Sequence, residues 1–161
     1  MSTTRRVRLS VRVIEVFEEL YAHDLESQAT ELAYHAGEAE AMIGSEKLVR
    51  YSAMAGEYAP GTHAYEEAIM HFQRALMARE RQPIDEQIAA LLHGLGRAQM
   101  ATASGVSGRQ MALDNLRRAL DYYIETADIL QAMDVATPSF DMAGLEGITE
   151  FINRSLAVVP A

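Results

Sequence analysis

Residues 68–76 read AIMHFQRAL, and residues 112–120 read ALDNLRRAL. Both segments place alanine at the first and eighth positions and a large apolar residue at the fifth, and the offset between them is 44 residues. Small alanines on one helix face let a second helix approach closely, while the larger residue between them fills the groove. The pair of segments therefore predicts a helix-packing unit that occurs twice.

A glycine on the preceding predicted helix accompanies each copy. Gly56 lies 12 residues before the first copy, and Gly96 lies 16 residues before the second. Glycine at such a position admits the backbone of a neighbouring helix. The residues predicted to pack the repeat are Ala55, Gly56, Ala68, Phe72, Ala75, Leu95, Gly96, Ala112, Leu116 and Ala119.

The rest of the chain also has helical periodicity, with apolar residues every three or four positions and no alternation typical of a strand. Capping residues, glycines and prolines separate the periodic segments. The pattern predicts an all-α protein with one domain over residues 1–161 and with helices at about 4–22, 24–43, 45–59, 62–80, 84–103, 109–133 and 141–157. We expect a Gly- and Ser-rich loop at 104–108 and a break at Thr137-Pro138-Ser139.

Residues 49–82 resemble one tetratricopeptide repeat, a 34-residue helix hairpin. The four extra residues of the second copy fit the loop predicted at 104–108, and the large residue usual at the fourth position is Ser52 in one copy and Leu92 in the other. The resemblance implies a superhelix of about three antiparallel helix hairpins plus a C-terminal capping helix. Its parts would be an N-terminal hairpin at 4–48, a repeat core at 49–131 and a cap at 141–157.

A wider resemblance rests on the order of short motifs that follow an arginine-rich first helix. They are Glu18-Glu19-Leu20-Tyr21, Glu31-Leu32-Ala33-Tyr34-His35, Glu46-Lys47, Arg50-Tyr51, Ala55-Gly56-Glu57 and Ala64-Tyr65-Glu66-Glu67-Ala68. This order is similar to the helical arm of bacterial STAND signal-transduction ATPases, where such arms follow a nucleotide-binding module in large regulators, including transcriptional activators. The resemblance implies a sensor or partner-binding arm. No Gly-x-x-x-x-Gly-Lys-Ser/Thr phosphate loop occurs in the 161 residues, so it assigns no ATPase residue here.

Composition narrows the classes of function. The chain has no cysteine, which excludes thiol catalysis and cysteine-ligated zinc. Its net charge is −9, and residues 1–12 contribute four arginines and no acid, so the remainder carries −13. An acidic body with one lysine does not favour direct binding of nucleic acid. No apolar stretch is long enough to span a membrane or to form a signal peptide, so we expect a cytoplasmic protein with no membrane partner.

The candidate catalytic and metal-ligating residues form no recognisable active site. Glu31, His35 and Glu38 share one face of a predicted helix, but a di-iron bundle needs Glu-x-x-His motifs, and none occurs. His63, His71 and His93 have no nucleophile motif beside them. We therefore expect no catalytic residue, no metal and no cofactor, and a helical-bundle enzyme or metal carrier is the least favoured hypothesis.

Stacked helix hairpins form a groove lined by the first helix of each pair, which suits an extended peptide or another helix. Alignment on Gly56 and Gly96 predicts the contacts of this groove to be Arg50, Ala53, Glu57, Ala90, His93 and Arg97. The leading hypothesis is a non-catalytic scaffold that binds a protein or peptide, as an arm of a larger regulatory ATPase or transcriptional regulator. The alternative is a free-standing adaptor that self-associates as a homo-oligomer.

Overall fold

The computed structural model describes residues 3–58 and 65–142, with side chains described up to residue 136. Those residues form seven α-helices and one short 3-10 helix and contain no strand, which confirms the all-α prediction for them. The α-helices are α1 (Thr3–Leu20), α2 (Ala29–Ile43), α3 (Ser45–Tyr58), α4 (Tyr65–Ala78), α5 (Glu86–Thr102), α6 (Gly105–Glu125) and α7 (Ile129–Met142). The 3-10 helix, Glu26–Gln28, leads into α2.

The chain divides into two compact units, Met1–Arg81 and Gln82–Ala161. Helices α1 to α4 belong to the first unit and α5 to α7 to the second, and within each unit successive helices pack against each other in antiparallel fashion. The boundary between the units falls inside the predicted repeat core, 49–131. The tetratricopeptide superhelix stays a prediction.

The core of the first unit lies between α1, α2 and α3. Alanines line the inner face of α2, where Ala29, Ala33 and Ala36 have no exposed surface, so the neighbouring helices approach closely. Ile14 of α1 and Tyr51 of α3 fill the space beside them. The α2 helix ends as predicted at Gly44, whose φ of 78° is a left-handed conformation that glycine adopts without strain.

Hairpins α3–α4 and α5–α6 are built around the two predicted glycines. A Cβ atom placed on Gly56 would lie 2.7 Å from Cζ of Phe72, and one on Gly96 would lie 2.6 Å from Cγ of Leu116. Each large side chain of the second helix therefore occupies the space that a side chain on the first helix would need. All ten residues predicted to pack the repeat are buried.

The prediction of a single helix over 109–133 is wrong about where the helix begins and about its being unbroken. Helix α6 begins at Gly105, with φ at 80°, so the predicted loop 104–108 shrinks to Ala103 and Ser104. The chain then leaves the helix at Thr126, turns through Ala127 with φ at 57°, and starts α7. Asp128 explains this second start, because its Oδ1 accepts a hydrogen bond from the backbone nitrogen of Gln131 at 3.1 Å.

The break predicted at Thr137-Pro138-Ser139 is also wrong, because α7 continues through these residues to Met142. The predicted capping helix, 141–157, falls almost entirely outside the described residues. Within residues 3–58 and 65–142, none of the helices combines the length and the apolar character that crossing a membrane requires.

Candidate partner-binding surfaces

Three of the six predicted groove contacts lie on one surface of α3. Arg50 and Glu57 are exposed and Ala53 is partly exposed. Because steps of four, three and four residues follow one side of a helix, these residues share a stripe with the exposed Glu46. We call Glu46, Arg50, Ala53 and Glu57 the α3 stripe. Sequence alignment of the two copies predicts three of the four members, and extending the same spacing by one turn finds the fourth.

A charged cluster fixes α3 against α1 on the side next to this stripe. The Nζ of Lys47 donates hydrogen bonds to both carboxylate oxygens of Glu18 at 2.6 Å, and the hydroxyl of Tyr51 donates to Oε1 of the same carboxylate. Burial by itself would raise the pKa of Glu18, but these two donors outweigh it and lower the pKa. Burial, together with Glu18, raises the pKa of Tyr51, so the phenol stays protonated.

This cluster was not predicted, although the sequence held a signal for it. Glu18 is the one charged residue in the apolar stripe of the first helix, which consists of Val7, Val11, Ile14, Phe17 and Tyr21. Lys47 is the only lysine of the chain. A charge in a buried stripe needs a partner of opposite sign. Glu18 and Lys47 therefore hold α3, and with it the α3 stripe, against α1.

The corresponding surface of α5 differs from the prediction at one residue. Ala90 and Arg97 are exposed, but His93 is 7% exposed and belongs to the core of the second unit. The prediction that His93 is an exposed contact of the groove is therefore wrong. The exposed side of α5 instead passes through the partly exposed Gly94, which lies one turn from both Ala90 and Arg97.

His93 is buried in the second unit and lies beside α7. The Nδ1 atom of His93 lies 3.8 Å from a carboxylate oxygen of Asp134 on α7, and its Nε2 has no hydrogen-bond partner among the described residues. Burial lowers the pKa of His93, while Asp134 opposes and Arg97 reinforces this shift. The imidazole is therefore neutral near pH 7, and its position is that of a packed side chain between two helices.

Glu31, His35 and Glu38, the candidate metal ligands of the sequence, take part in contacts between α1 and α2. His35 hydrogen-bonds through Nδ1 to Ser10 on α1 and through Nε2 to Glu31, both at 3.2 Å. Glu38 instead pairs with Arg6 at 2.6 Å. The trio is thus split between two different α1–α2 contacts, and no group of three potential metal ligands occurs within the part of the chain that the structure describes.

The other two histidines fall in different places. His63 lies outside the described residues. His71 is half-buried on α4, where burial and the neighbouring Arg74 lower its pKa.

Comparison with known proteins adds no assignment. No family model, curated protein or solved structure matches this chain. Any function must therefore be argued from the residues themselves.

The described surfaces suit recognition by charge and shape. The α3 stripe alternates acidic, basic, small and acidic side chains over three turns, and a small residue in the middle admits close contact with a partner. On α5, Ala90 and Gly94 leave the backbone accessible beside Arg97, whose guanidinium can bind a carboxylate with two parallel hydrogen bonds. Both surfaces lie on the first helix of a glycine-packed hairpin.

Proposed function

We propose that this protein is a non-catalytic, tetratricopeptide-like scaffold that binds a segment of a partner protein along the α3 stripe. The observation that carries the proposal is the shared construction of the two hairpins. In each, a glycine of the first helix receives the large side chain of the second, and the first helix keeps an exposed face. Repeated hairpins of this kind commonly serve as binding scaffolds.

The charges of the stripe define the kind of partner. Arg50 stands between Glu46 and Glu57, and each lies about one or two turns from it. A complementary segment would carry a carboxylate opposite Arg50 and basic residues on either side of it. Such alternation favours one register over the next, because a shifted partner would place like charges together.

We also propose that the scaffold is an arm of a larger regulatory ATPase of the STAND class. The support is the order of motifs from the first helix to the fourth, several of which fall at helix contacts. Glu18, Lys47 and Tyr51, for example, belong to motifs of the arm and form the cluster that joins α1 to α3. The genomic reading frame upstream of Met1 tests this part, since a phosphate-loop module in frame would support it and a separate promoter would contradict it.

Site-specific cross-linking tests the binding surface. A photo-reactive amino acid in place of Ala53 should give an adduct with one partner protein in cells, and the adduct should identify that protein. The matched control carries the photo-reactive residue in place of Met70, which is exposed on α4. Equal adducts at the two positions would contradict a specific surface on α3.

Affinity measurements with the identified partner complete the test. Arg50→Glu should weaken binding by at least about tenfold, which corresponds to about 1.4 kcal/mol, because it places like charges in contact. Arg118→Glu makes the same change on the exposed side of α6 and should leave the affinity unchanged. An Arg50→Glu variant that binds as tightly as the original protein would remove the α3 stripe from the proposal.

A further inference from the structure

The outer face of α1 carries an apolar seam in addition to the inner face that packs in the core. Ile14 and Ser10 are buried on the inner side. About a third of the way round the helix from these two, Leu9, Val13, Val16 and Leu20 follow steps of four, three and four residues. Leu9 is 52% exposed and Leu20 is 72% exposed, while both valines are partly exposed. The spacing is that of the contact positions in a pair of coiled helices.

A charged stripe runs beside the seam with the same spacing. Its members are Arg8, Arg12, Glu15 and Glu19, which also follow steps of four, three and four residues, and all four are exposed. The basic residues occupy the N-terminal half and the acidic residues the C-terminal half. Within the helix, Nη1 of Arg12 lies 2.8 Å from Oε2 of Glu15. An exposed ion pair of this kind contributes little to stability. The guanidinium of Arg12 keeps further N–H donors for other acceptors.

The seam and the stripe together match a second copy of the same helix in the reverse direction. We propose that the protein self-associates through antiparallel pairing of α1 with α1 of another copy. In this arrangement Leu9 faces Leu20 and Val13 faces Val16 across the two-fold axis. The charged stripes then bring Arg8 near Glu19 and Arg12 near Glu15 of the second copy.

Charge complementarity selects this occupant over others. Parallel two-fold pairing would place the two stripes on opposite sides of the helix pair, where neither stripe meets the charges of the other. A nucleic acid or an acidic peptide would match the two arginines but would be repelled by Glu15 and Glu19. Only a partner whose charges reverse at mid-helix fits the stripe, and an antiparallel second copy has that order.

The dimer is expected to be weak, because a seam of four apolar residues is shorter than the contact region of a standard stable interface. A dissociation constant of about 10–100 μM is the range that such a contact supports. The inference does not depend on binding at the α3 stripe, which lies on another helix of the same unit.

Charge exchange in the full chain provides the first test, followed by sedimentation velocity at concentrations from about 1 to about 500 μM. One variant carries Arg8→Glu and Arg12→Glu, and the other carries Glu15→Arg and Glu19→Arg. Each variant alone should lose at least about tenfold in self-association, because its stripe has a single sign of charge. An equimolar mixture of the two should form a heterodimer as tight as the original homodimer or tighter. A mixture that stays monomeric would overturn the proposal.

Cross-linking tests the direction of pairing, and the absence of cysteine from the chain makes the result easy to interpret. A mixture of Leu9→Cys and Leu20→Cys chains should form a mixed disulfide under mild oxidation. Leu9→Cys alone should form little disulfide, since the two sulfur atoms would be about 16 Å apart along the antiparallel pair. Efficient disulfide formation by Leu9→Cys alone would instead show parallel pairing and overturn the proposal.

Leu20→Gln and Met77→Gln form a matched pair of variants. They distinguish a specific contact through α1 from non-specific association through any exposed apolar side chain. Both remove an exposed apolar side chain, 72% and 76% exposed respectively, and neither should alter folding. Only Leu20→Gln should weaken the dimer, by about tenfold. An equal loss in both variants would overturn the assignment to α1. Cross-linking at position 53 in a Leu20→Gln chain keeps the two proposals distinguishable, since binding at the α3 stripe should persist in the monomer.

Discussion

The α3–α4 and α5–α6 hairpins are both packed around a glycine, but they differ in how well that position would accept a larger residue. At Gly56 the atoms nearest to the place of a Cβ belong to the far end of a ring, with Cζ and Cε1 of Phe72 at 2.7 and 2.8 Å. At Gly96 they are Cγ of Leu116 at 2.6 Å and the backbone oxygen of Ala112 at 3.1 Å. A ring can swing aside, whereas a branch carbon and a carbonyl group are held by the helix itself. Equivalent glycines therefore differ in how strictly each is required.

The two first helices also differ in what surrounds them. Helix α3 is tied to α1 by Glu18, Lys47 and Tyr51, so charge and hydrogen bonds fix one of its sides. On α5, His93 is buried and lies beside Asp134 of α7. Ala53 and His93, which lie three residues before the two glycines, are thus partly exposed and buried respectively. The glycine of the first helix and the large side chain of the second account for the packing of each hairpin, but they do not determine which residues of the first helix are exposed.

The largest effect is expected when the glycines are replaced by alanine. Gly96→Ala should lower the free energy of unfolding by about 2 kcal/mol, because overpacking against Leu116 and the Ala112 carbonyl outweighs the better helix propensity of alanine. Gly56→Ala should cost less than about 1 kcal/mol, since the Phe72 ring can move. Urea denaturation with hydrogen exchange read separately for each unit measures both changes.

Two controls make this comparison decisive. Gly108 lies in the first turn of α6, where a Cβ atom would be 3.6 Å from Ala103, so Gly108→Ala should be neutral or stabilising. The loss from Gly96→Ala should shrink in a Leu116→Ala background, where space has been made. Equal losses for Gly56→Ala and Gly96→Ala would show that the two hairpins are equally tolerant, contrary to the structure.

The next effect concerns the cluster that fixes α3. Glu18→Gln keeps the shape of the side chain but removes the charge that binds Lys47 and Tyr51, and we expect a loss of about 1–2 kcal/mol. Glu66→Gln on the exposed side of α4 is the matched control and should change stability by less than about 0.5 kcal/mol. Urea denaturation of the two variants beside the original chain measures the difference.

The pH dependence of this cluster has a definite sign. The pKa of Glu18 is lower in the folded protein than the usual value of 4.5, so its contribution is complete above about pH 4.5 and is lost as the pH falls through the lowered pKa. Acid unfolding curves should therefore show a smaller loss below pH 4.5 for Glu18→Gln than for the original chain. Identical acid sensitivity of the two chains would contradict the role of Glu18.

Sequence periodicity predicted the packing of the hairpins better than it predicted the surfaces. Gly56, Phe72, Gly96 and Leu116 could be found because close helix contact demands small and large residues at regular spacing. Helix ends were predicted less well. The cap at Asp128 was missed because apolar periodicity runs past the turn at 126–128, so a local hydrogen bond outweighed the pattern.

The surface predictions failed where a second helix intervened. Spacing alone placed His93 on an exposed face, and nothing in the periodicity of α5 shows that this side chain is buried beside α7. The α1 seam was not predicted either, because the exposure that distinguishes Leu9 and Leu20 from the buried side of α1 does not follow from their spacing.

A smaller and opposite effect is expected at Ser52. Ser52 is fully buried on α3 and its hydroxyl has no hydrogen-bond partner within the described residues, whereas Leu92 stands at the equivalent position of α5. Ser52→Ala should raise the free energy of unfolding by about 0.5–1 kcal/mol, because it removes an unsatisfied polar group at little cost in volume. Thermal denaturation monitored by circular dichroism measures the change, and a destabilised Ser52→Ala chain would show that the hydroxyl makes a stabilising contact after all.

A further effect distinguishes the two units by its dependence on pH. Burial lowers the pKa of both His93 and His71, so between the lowered pKa and about 6.5 the unfolded chain binds more protons than the folded one. Stability should therefore fall as the pH drops from about 7.5 to about 5.5, by no more than about 1.4 kcal/mol per pH unit for each histidine. The more deeply buried His93 should contribute the steeper part, and His93→Gln should flatten the curve more than His71→Gln.

Substitutions beside His93 establish the source of this dependence. Asp134 raises the pKa of His93 and Arg97 lowers it. Asp134→Asn should therefore steepen the loss of stability between about pH 6.5 and about pH 5.5, and Arg97→Gln should reduce it. Hydrogen exchange of α5 and α6 at the two pH values is the appropriate measurement. If Asp134→Asn leaves the dependence unchanged, the carboxylate does not act on His93, and the contact between α5 and α7 is one of packing alone.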